Sequence, residues 1–250
     1  MTWRNLVVNA VDRAVQAVLS APMMPLTRYV PVGHYWLYDV LRFAGTRDLG
    51  IVFDVGANIG QTAHDLVRYL PKARIFCIEP VGSTMQQLKA NYGRYSNIQF
   101  CQFAFGSKWE TIRMPLHHDS ELNTLVKDHP RVADRTGQSE IITVETIDNF
   151  CRSEEVNCID LLKLDVQGWE LEVLRGSEAM LTRNAIHFIF VEVGFHASDT
   201  HIQQFSELHN FMEGKGFNFC GLYDSFRYGA GRTFVGFSNA LYINSAFARA

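Results

Sequence analysis

At 250 residues and a formal net charge of −3, the chain is long enough for one sizeable α/β domain and has no basic excess, so nucleic acid is not an expected partner. Its 47% apolar and 20% charged residues are those of an ordinary globular protein. Five cysteines without a C-x-x-C spacing argue against a disulfide framework or a zinc site, and for a reducing, cytoplasmic setting.

Residues 3–18, "WRNLVVNAVDRAVQAV", place Trp3, Leu6, Val7, Ala10, Val11, Ala14, Val15 and Val18 on one helical face. Arg4, Asp12 and Arg13 interrupt the run, so neither a signal peptide nor stable membrane insertion is expected. That face is expected to pack on its own domain or on a second copy, which makes a homodimer through this helix a candidate assembly. Pro22, Pro25 and Pro31 then break any long helix, and His34 sits among Tyr35, Trp36 and Tyr38. Residues 1–50 read as a helical and aromatic cap, and residues 51–250 as a Rossmann-like domain.

From Ile51 strand and helix patterns alternate. "IVFDV" is a buried strand, followed by a helix with Ile59, Ala63, Leu66, Val67 and Leu70 on one face, ending before Pro71. "ARIFCIEP", "STMQQLKANYG" and "IQFCQFAFG" continue as strand, helix, strand. Residues 108–145 interrupt the rhythm with two short strands around a polar loop. "CIDLLKLDV", a helix through Leu171, Leu174 and Leu181, the strand "AIHFIFVEVGF" and a helix through Ile202, Phe205, Leu208 and Met212 resume it. "FNFCGLY" and "FVGFSNALYI" have no helix between them and should pair antiparallel. The pattern predicts a mostly parallel seven-stranded sheet with a C-terminal antiparallel hairpin, wrapped by helices.

Ligands of such sheets lie beyond the carboxyl ends of the strands. There the first strand carries "DVGANIGQ", whose G-x-x-x-G spacing differs from the G-x-G-x-x-G of a pyrophosphate loop. Asp54 would repel a diphosphate and attract an ammonium group, which S-adenosylmethionine offers. Glu79, nineteen residues after Gly60 at the end of the second strand, suits the ribose hydroxyls of an adenosine. The expected donor contacts are Asp54, Gly56, Asn58, Gly60 and Gln61, then Glu79 and Pro80, then Ala104 and Phe105, and finally Asp165.

These stretches, with "ETIDNF" and above all "IDLLKLDVQGWELEVLRGSEAML", resemble the FkbM-type methyltransferase domain of the class I S-adenosylmethionine-dependent superfamily, over residues 51–245. The resemblance implies a methyl transfer onto a hydroxyl of a small molecule, such as a sugar or secondary metabolite. Where the family usually has Asp-Val-Glu-Gly, this chain has Asp165-Val166-Gln167-Gly168, which removes one carboxylate.

Methyl transfer to oxygen needs alignment and removal of the hydroxyl proton. Asp165 and Glu192, at the ends of adjacent strands, are candidate ligands for Mg²⁺, with His196 a further ligand or base. Without a metal, the bases to consider are His34, His117, His118 and His196; His187, at the start of a buried strand, reads as structural. The favoured catalytic set is Asp165, Glu192 and His196. A nicotinamide oxidoreductase lacks its glycine pattern here, a nucleic-acid methyltransferase its Asn/Asp-Pro-Pro turn, and a degenerate binding domain would not need Asp54, Gly56, Gly60 and Glu79 intact.

Overall fold

The computed structural model describes residues 30–126, 135–196 and 202–249. The amphipathic stretch over residues 3–18 lies outside the described residues, and so does the expected contact with a second copy. The chain divides into compact units over residues 1–45 and 46–250. In the first, a helix over Trp36–Ala44 is tied down by Asp39, whose Oδ2 accepts from Gly33 N at 2.6 Å while Oδ1 meets Arg42 Nη1 at 3.2 Å.

Among the described residues the second unit holds ten strands: β1 (Ile51–Val55), β2 (Arg74–Ile78), β3 (Ile98–Cys101), β4 (Ala104–Phe105), β5 (Glu110–His117), β6 (Arg135–Glu145), β7 (Ile159–Leu164), β8 (Ile186–Gly194), β9 (Phe217–Tyr228) and β10 (Phe234–Asn244). Seven of them form one sheet in the order β3-β2-β1-β7-β8-β10-β9. All neighbours are parallel except β10, which runs antiparallel to both β8 and β9. This is the expected Rossmann-like sandwich with its terminal hairpin. Strands β1, β7 and β8 are largely buried and apolar, as inner strands of such a sheet are, and are interrupted by Asp54, Asp160, Lys163, His187 and Glu192.

Two expectations need correction. "IQFCQFAFG" is not one strand: it breaks after Cys101, and Ala104–Phe105 pairs instead with Val144–Glu145 in a second sheet of order β4-β6-β5. The helix through Leu171 to Leu181 is two helices, Glu170–Arg175 and Glu178–Thr182, split at Gly176. A Cβ on Gly176 would come within 2.0 Å of Gly106 O, so the backbones meet too closely for any side chain.

The main core contains Phe53, Phe76, Phe105 and Phe150, with ring centroids 4.8 Å apart for Phe53–Phe76 and 5.5 Å for Phe105–Phe150. Deleting one such ring costs about 3–5 kcal/mol, so this cluster anchors the strand ends on which the site is built. A smaller core of Val81, Ala104, Met114, Leu125, Ile142 and Val144 fixes the second sheet over those same ends.

Candidate active site

The carboxyl ends of β1, β2, β7 and β8 open onto one cavity of about 440 Å³, within the range of small-molecule sites. Its apolar wall includes Ile78, Pro80, Ala104, Phe105, Met114, Leu125 and Trp169. Its charged lining, among the described residues, is Glu79, Glu121, Lys163, Asp165 and Glu192. Four carboxylates therefore face a single ammonium group.

Strand register explains where that ammonium goes. Asp54 of β1 and Lys163 of β7 are directly paired across the parallel ladder, so both side chains leave the same face. Lys163 Nζ lies 3.0 Å from Asp54 Oδ1 and 3.6 Å from Asp165 Oδ2, and donates to Gly56 O at 3.2 Å. Burial works to lower the Lys163 pKa, but the carboxylates of Asp54, Asp165 and Glu192 win and hold it above the usual lysine range. Burial pushes Asp54 up, with Lys163 opposing.

Asp54 is fully buried and is not part of the cavity lining. The expectation that it cradles a ligand ammonium is therefore corrected in one respect: the ammonium beside it in this structure belongs to Lys163. The reading for the glycines changes too. Gly56, at φ 76°, lines the cavity, but a Cβ there would meet Asp165 O at 1.9 Å. Gly60, at φ 101°, lies off the cavity, and a Cβ there would strike Tyr92 at 2.3 Å. Both glycines serve the close approach of chain to chain.

Asn58 and Gln61 line the cavity. Asn58, at φ 46°, accepts from Ser120 Oγ through Oδ1 at 2.9 Å, and Gln61 donates to Glu121 Oε1 at 2.8 Å. The loop that closes this side thus comes from the segment after β5. Glu79 is held by two backbone donors, Asn58 N to Oε2 at 3.1 Å and Val81 N to Oε1 at 2.9 Å. Burial nevertheless pushes its pKa up to about 7.

Asp165 and Glu192 are brought together by the residue that distinguishes this chain. Gln167, at φ 53°, turns its side chain back so that Nε2 donates to Asp165 Oδ1 at 3.1 Å and to Glu192 Oε2 at 3.2 Å. Burial, then the neighbouring Asp165 and Glu170, push Glu192 up to about 8. Behind them Glu170 is fully buried, accepting from Val166 N and Gly168 N through Oε1, and burial raises it to about 7. As they stand, Asp165, Gln167 and Glu192 do not fit a magnesium ion: amide N–H groups occupy both carboxylates and Lys163 is close by, whereas Mg²⁺ selects oxygen ligands.

The histidines do not join this group. β8 ends at Gly194, and two residues later His196 is exposed, its ring 6.2 Å from Tyr228 and away from the cavity lining. His34 and His118 are exposed. His117 is buried beside a polar cleft shared with Ser83, Thr84 and Asn123. Sequence reasoning gave no role to Lys163 or Trp169, which it read only as part of the family-like stretch, nor to Thr124, whose Oγ1 donates to Gln167 O at 2.7 Å. Lys163 did leave a signal, a lone lysine inside the apolar strand "IDLLKL".

The family profile described as "Methyltransferase FkbM domain" matches residues 54–219. The chain is 27% identical over 164 residues to "2-O-methyltransferase NoeI" of Sinorhizobium fredii, covering 57% of this chain and 62% of that protein. It is 23% identical over 156 residues to "Methyltransferase 1" of Beauveria bassiana, covering 56% and 61%. It thus spans less than two thirds of the length of either relative. The solved N-terminal domain of human METTL16 in complex with SAH aligns with a TM-score of 0.46 at 13% identity, over 90% of this chain and 72% of that one.

Proposed function

We propose, because this chain belongs to the FkbM methyltransferase domain family, that it transfers a methyl group from S-adenosylmethionine to a hydroxyl of a small molecule. The observation that carries the donor assignment is the charge of the cavity: four carboxylates against one lysine that is already paired. Such a lining suits a cationic ligand and offers nothing to a pyrophosphate, which disfavours a nicotinamide cofactor. Bound there, the donor supplies a methyl group activated by its sulfonium.

Glu79 is the residue suited to the ribose hydroxyls, since each of its oxygens accepts one backbone N–H and keeps a lone pair free. Pro80, Ala104 and Phe105 form the apolar wall suited to the adenine. Asn58, Gln61 and Asp165 complete the donor side. Glu192 is the base. Its pKa of about 8 makes its carboxylate a stronger proton acceptor than an ordinary glutamate, near the value at which general-base catalysis is most effective. As the hydroxyl oxygen bonds to the methyl carbon, Glu192 takes the hydroxyl proton and the carbon–sulfur bond breaks. Gln167 positions Glu192 and Asp165 with one amide. Their N–H contacts support a metal-free reaction.

The name of the rhizobial relative favours an alcoholic acceptor, and the polar loop over Ser120–Thr124 supplies matching donors and acceptors. No helix among the described residues is long and apolar enough to cross a membrane. The five cysteines are free thiols, which supports a reducing compartment such as the cytoplasm.

The test has two stages. Calorimetric titration with S-adenosylhomocysteine should give binding that Glu79→Gln weakens, and absence of binding overturns the donor assignment. Transfer of labelled methyl to a panel of sugars and other alcohols, measured at saturating donor, should then fall at least about 100-fold in Glu192→Gln. A rate abolished by chelator and restored by Mg²⁺ would overturn the metal-free reading and leave the donor site standing.

A further inference from the structure

At the end of the sheet opposite the cavity, three chemically reactive side chains meet. Cys158 immediately precedes β7, Asp160 is its second residue, and His187 is the second residue of β8. Because Ile159 and Ile186 are paired in the ladder, these three positions fall side by side. Asp160 and Asp165 are separated by five residues of strand, about 16 Å at a rise of about 3.3 Å per residue, so this group is separate from the cavity.

The distances are specific. Cys158 Sγ lies 3.2 Å from His187 Nε2 and 3.7 Å from Nδ1, and His187 Nδ1 lies 3.0 Å from Asp160 Oδ1. One ligand atom from each residue falls within 4.8 Å of the other two. We propose that Cys158, Asp160 and His187 bind one divalent transition-metal ion of the zinc class, through sulfur, oxygen and Nδ1, with a fourth position left to solvent.

Three arguments support the site. Bond lengths of about 2.3 Å to sulfur and about 2.0–2.2 Å to nitrogen and oxygen in a tetrahedron require ligand separations of roughly 3.6 Å for S to N and roughly 3.4 Å for N to O. The observed 3.7 and 3.0 Å lie within a few tenths of an ångström of those values. Second, the ligands are already oriented. Asp160 Oδ2 accepts from Gly50 N at 2.7 Å and Ile51 N at 2.8 Å, leaving Oδ1 to point at the histidine. The His187 ring is stacked on Phe247 with centroids 4.1 Å apart. Such outer contacts are what fix metal ligands in place. Third, all three side chains are half-buried, which leaves an entry path for an ion and limits the loss of side-chain freedom on binding.

The donor set also selects the metal. A thiolate and an imidazole beside one carboxylate suit Zn²⁺ or Co²⁺, and are a poor match for Mg²⁺ or Ca²⁺. A zinc-class ion binds sulfur as the thiolate, so binding removes the Cys158 thiol proton. The incoming ion displaces that proton, and one proton is released to solvent per ion bound. Loaded, the site joins β7 to β8 and, through Asp160, to the start of β1.

Cobalt titration of the full-length, chelator-treated protein tests this. One equivalent of Co²⁺ should produce a thiolate-to-cobalt charge-transfer band that is lost in Cys158→Ala and retained in Cys220→Ser. Asp160→Asn should weaken cobalt binding by roughly tenfold or more. Should the alanine variant fail to fold, the wild-type chain still decides the matter. Zinc should slow alkylation of Cys158, read by peptide mass spectrometry, while Cys220 reacts at an unchanged rate. Absence of the band together with zinc-independent alkylation of Cys158 would overturn the proposal and leave a purely hydrogen-bonded tie between strands.

Discussion

The Asp54–Lys163 pair is the sharpest point at which this structure can be tested. At 3.0 Å and an effective dielectric of about 20, the attraction is about 5 kcal/mol. Lys163→Met leaves Asp54 buried without its cation, and breaking a buried pair in this way costs about 3–5 kcal/mol. In a chain of this size that lowers Tm by on the order of 10 °C. The carboxylate of Asp54 would then hold its proton to higher pH than in the unfolded chain, where it titrates near the ordinary aspartate value. The native state would bind more protons than the unfolded one, so the penalty should grow as pH rises above about 4. Asp54→Asn/Lys163→Met removes both charges and should recover most of the loss. Urea denaturation of the wild type, both single variants and the double variant closes the cycle. A coupling energy below about 0.5 kcal/mol, the lower end of what contacting residues show, would refute the pairing.

Two further outcomes follow from the neighbouring carboxylates. Glu170 is raised from 4.5 to about 7, so the folded chain loses stability as pH rises between those values, at about 1.4 kcal/mol per unit. Glu170→Gln keeps the Oε1 acceptor and removes the titration, so by pH 8 the variant should gain about 3 kcal/mol over wild type relative to pH 4.5. Equal pH slopes in the two proteins would refute that assignment. Gln167→Glu restores a third carboxylate beside Asp165 and Glu192 and should create a divalent-cation site; at tenfold excess over Kd the ion would stabilise the variant by about 1.4 kcal/mol. A thermal shift with Mg²⁺ or Mn²⁺ in wild type as large as in the variant would show that the amide does not exclude the ion.

The succession of strands was legible because buried parallel strands leave largely apolar runs, and Glu79 and Asp165 drew notice because each follows such a strand, whereas Glu192 lies inside β8, two residues before its end at Gly194. What the chain conceals is lateral register. Lys163 is 109 residues from Asp54 in sequence, and only the β1–β7 ladder puts the two side by side. The same holds for Cys158 and His187, 29 residues apart in sequence, which the pairing of Ile159 with Ile186 sets side by side. Ala104 and Phe105 kept their place beside the cavity although their strand belongs to another sheet, because β6 brings Val144 and Glu145 back to pair with them. His196 fails for the opposite reason: closeness in sequence to Glu192 does not hold a side chain at a rim once the strand has ended at Gly194.

Register also explains the chemistry that the cavity can support. A lysine placed inside β7 opposite an aspartate of β1 is paired within the sheet, and its attraction for Glu79 and Glu192 is too weak to offset their burial. Both are pushed toward neutrality by burial, to about 7 and about 8. A ligand carrying positive charge would reverse that shift, favouring the ionised carboxylates and releasing protons as it binds. Donor affinity should therefore rise with pH between about 6 and 8, and calorimetry in buffers of different ionisation enthalpy should register the released protons. An affinity that is flat across this range would mean that the ligand's charge lies away from both glutamates, and the cavity's carboxylate excess would then have to serve the acceptor instead.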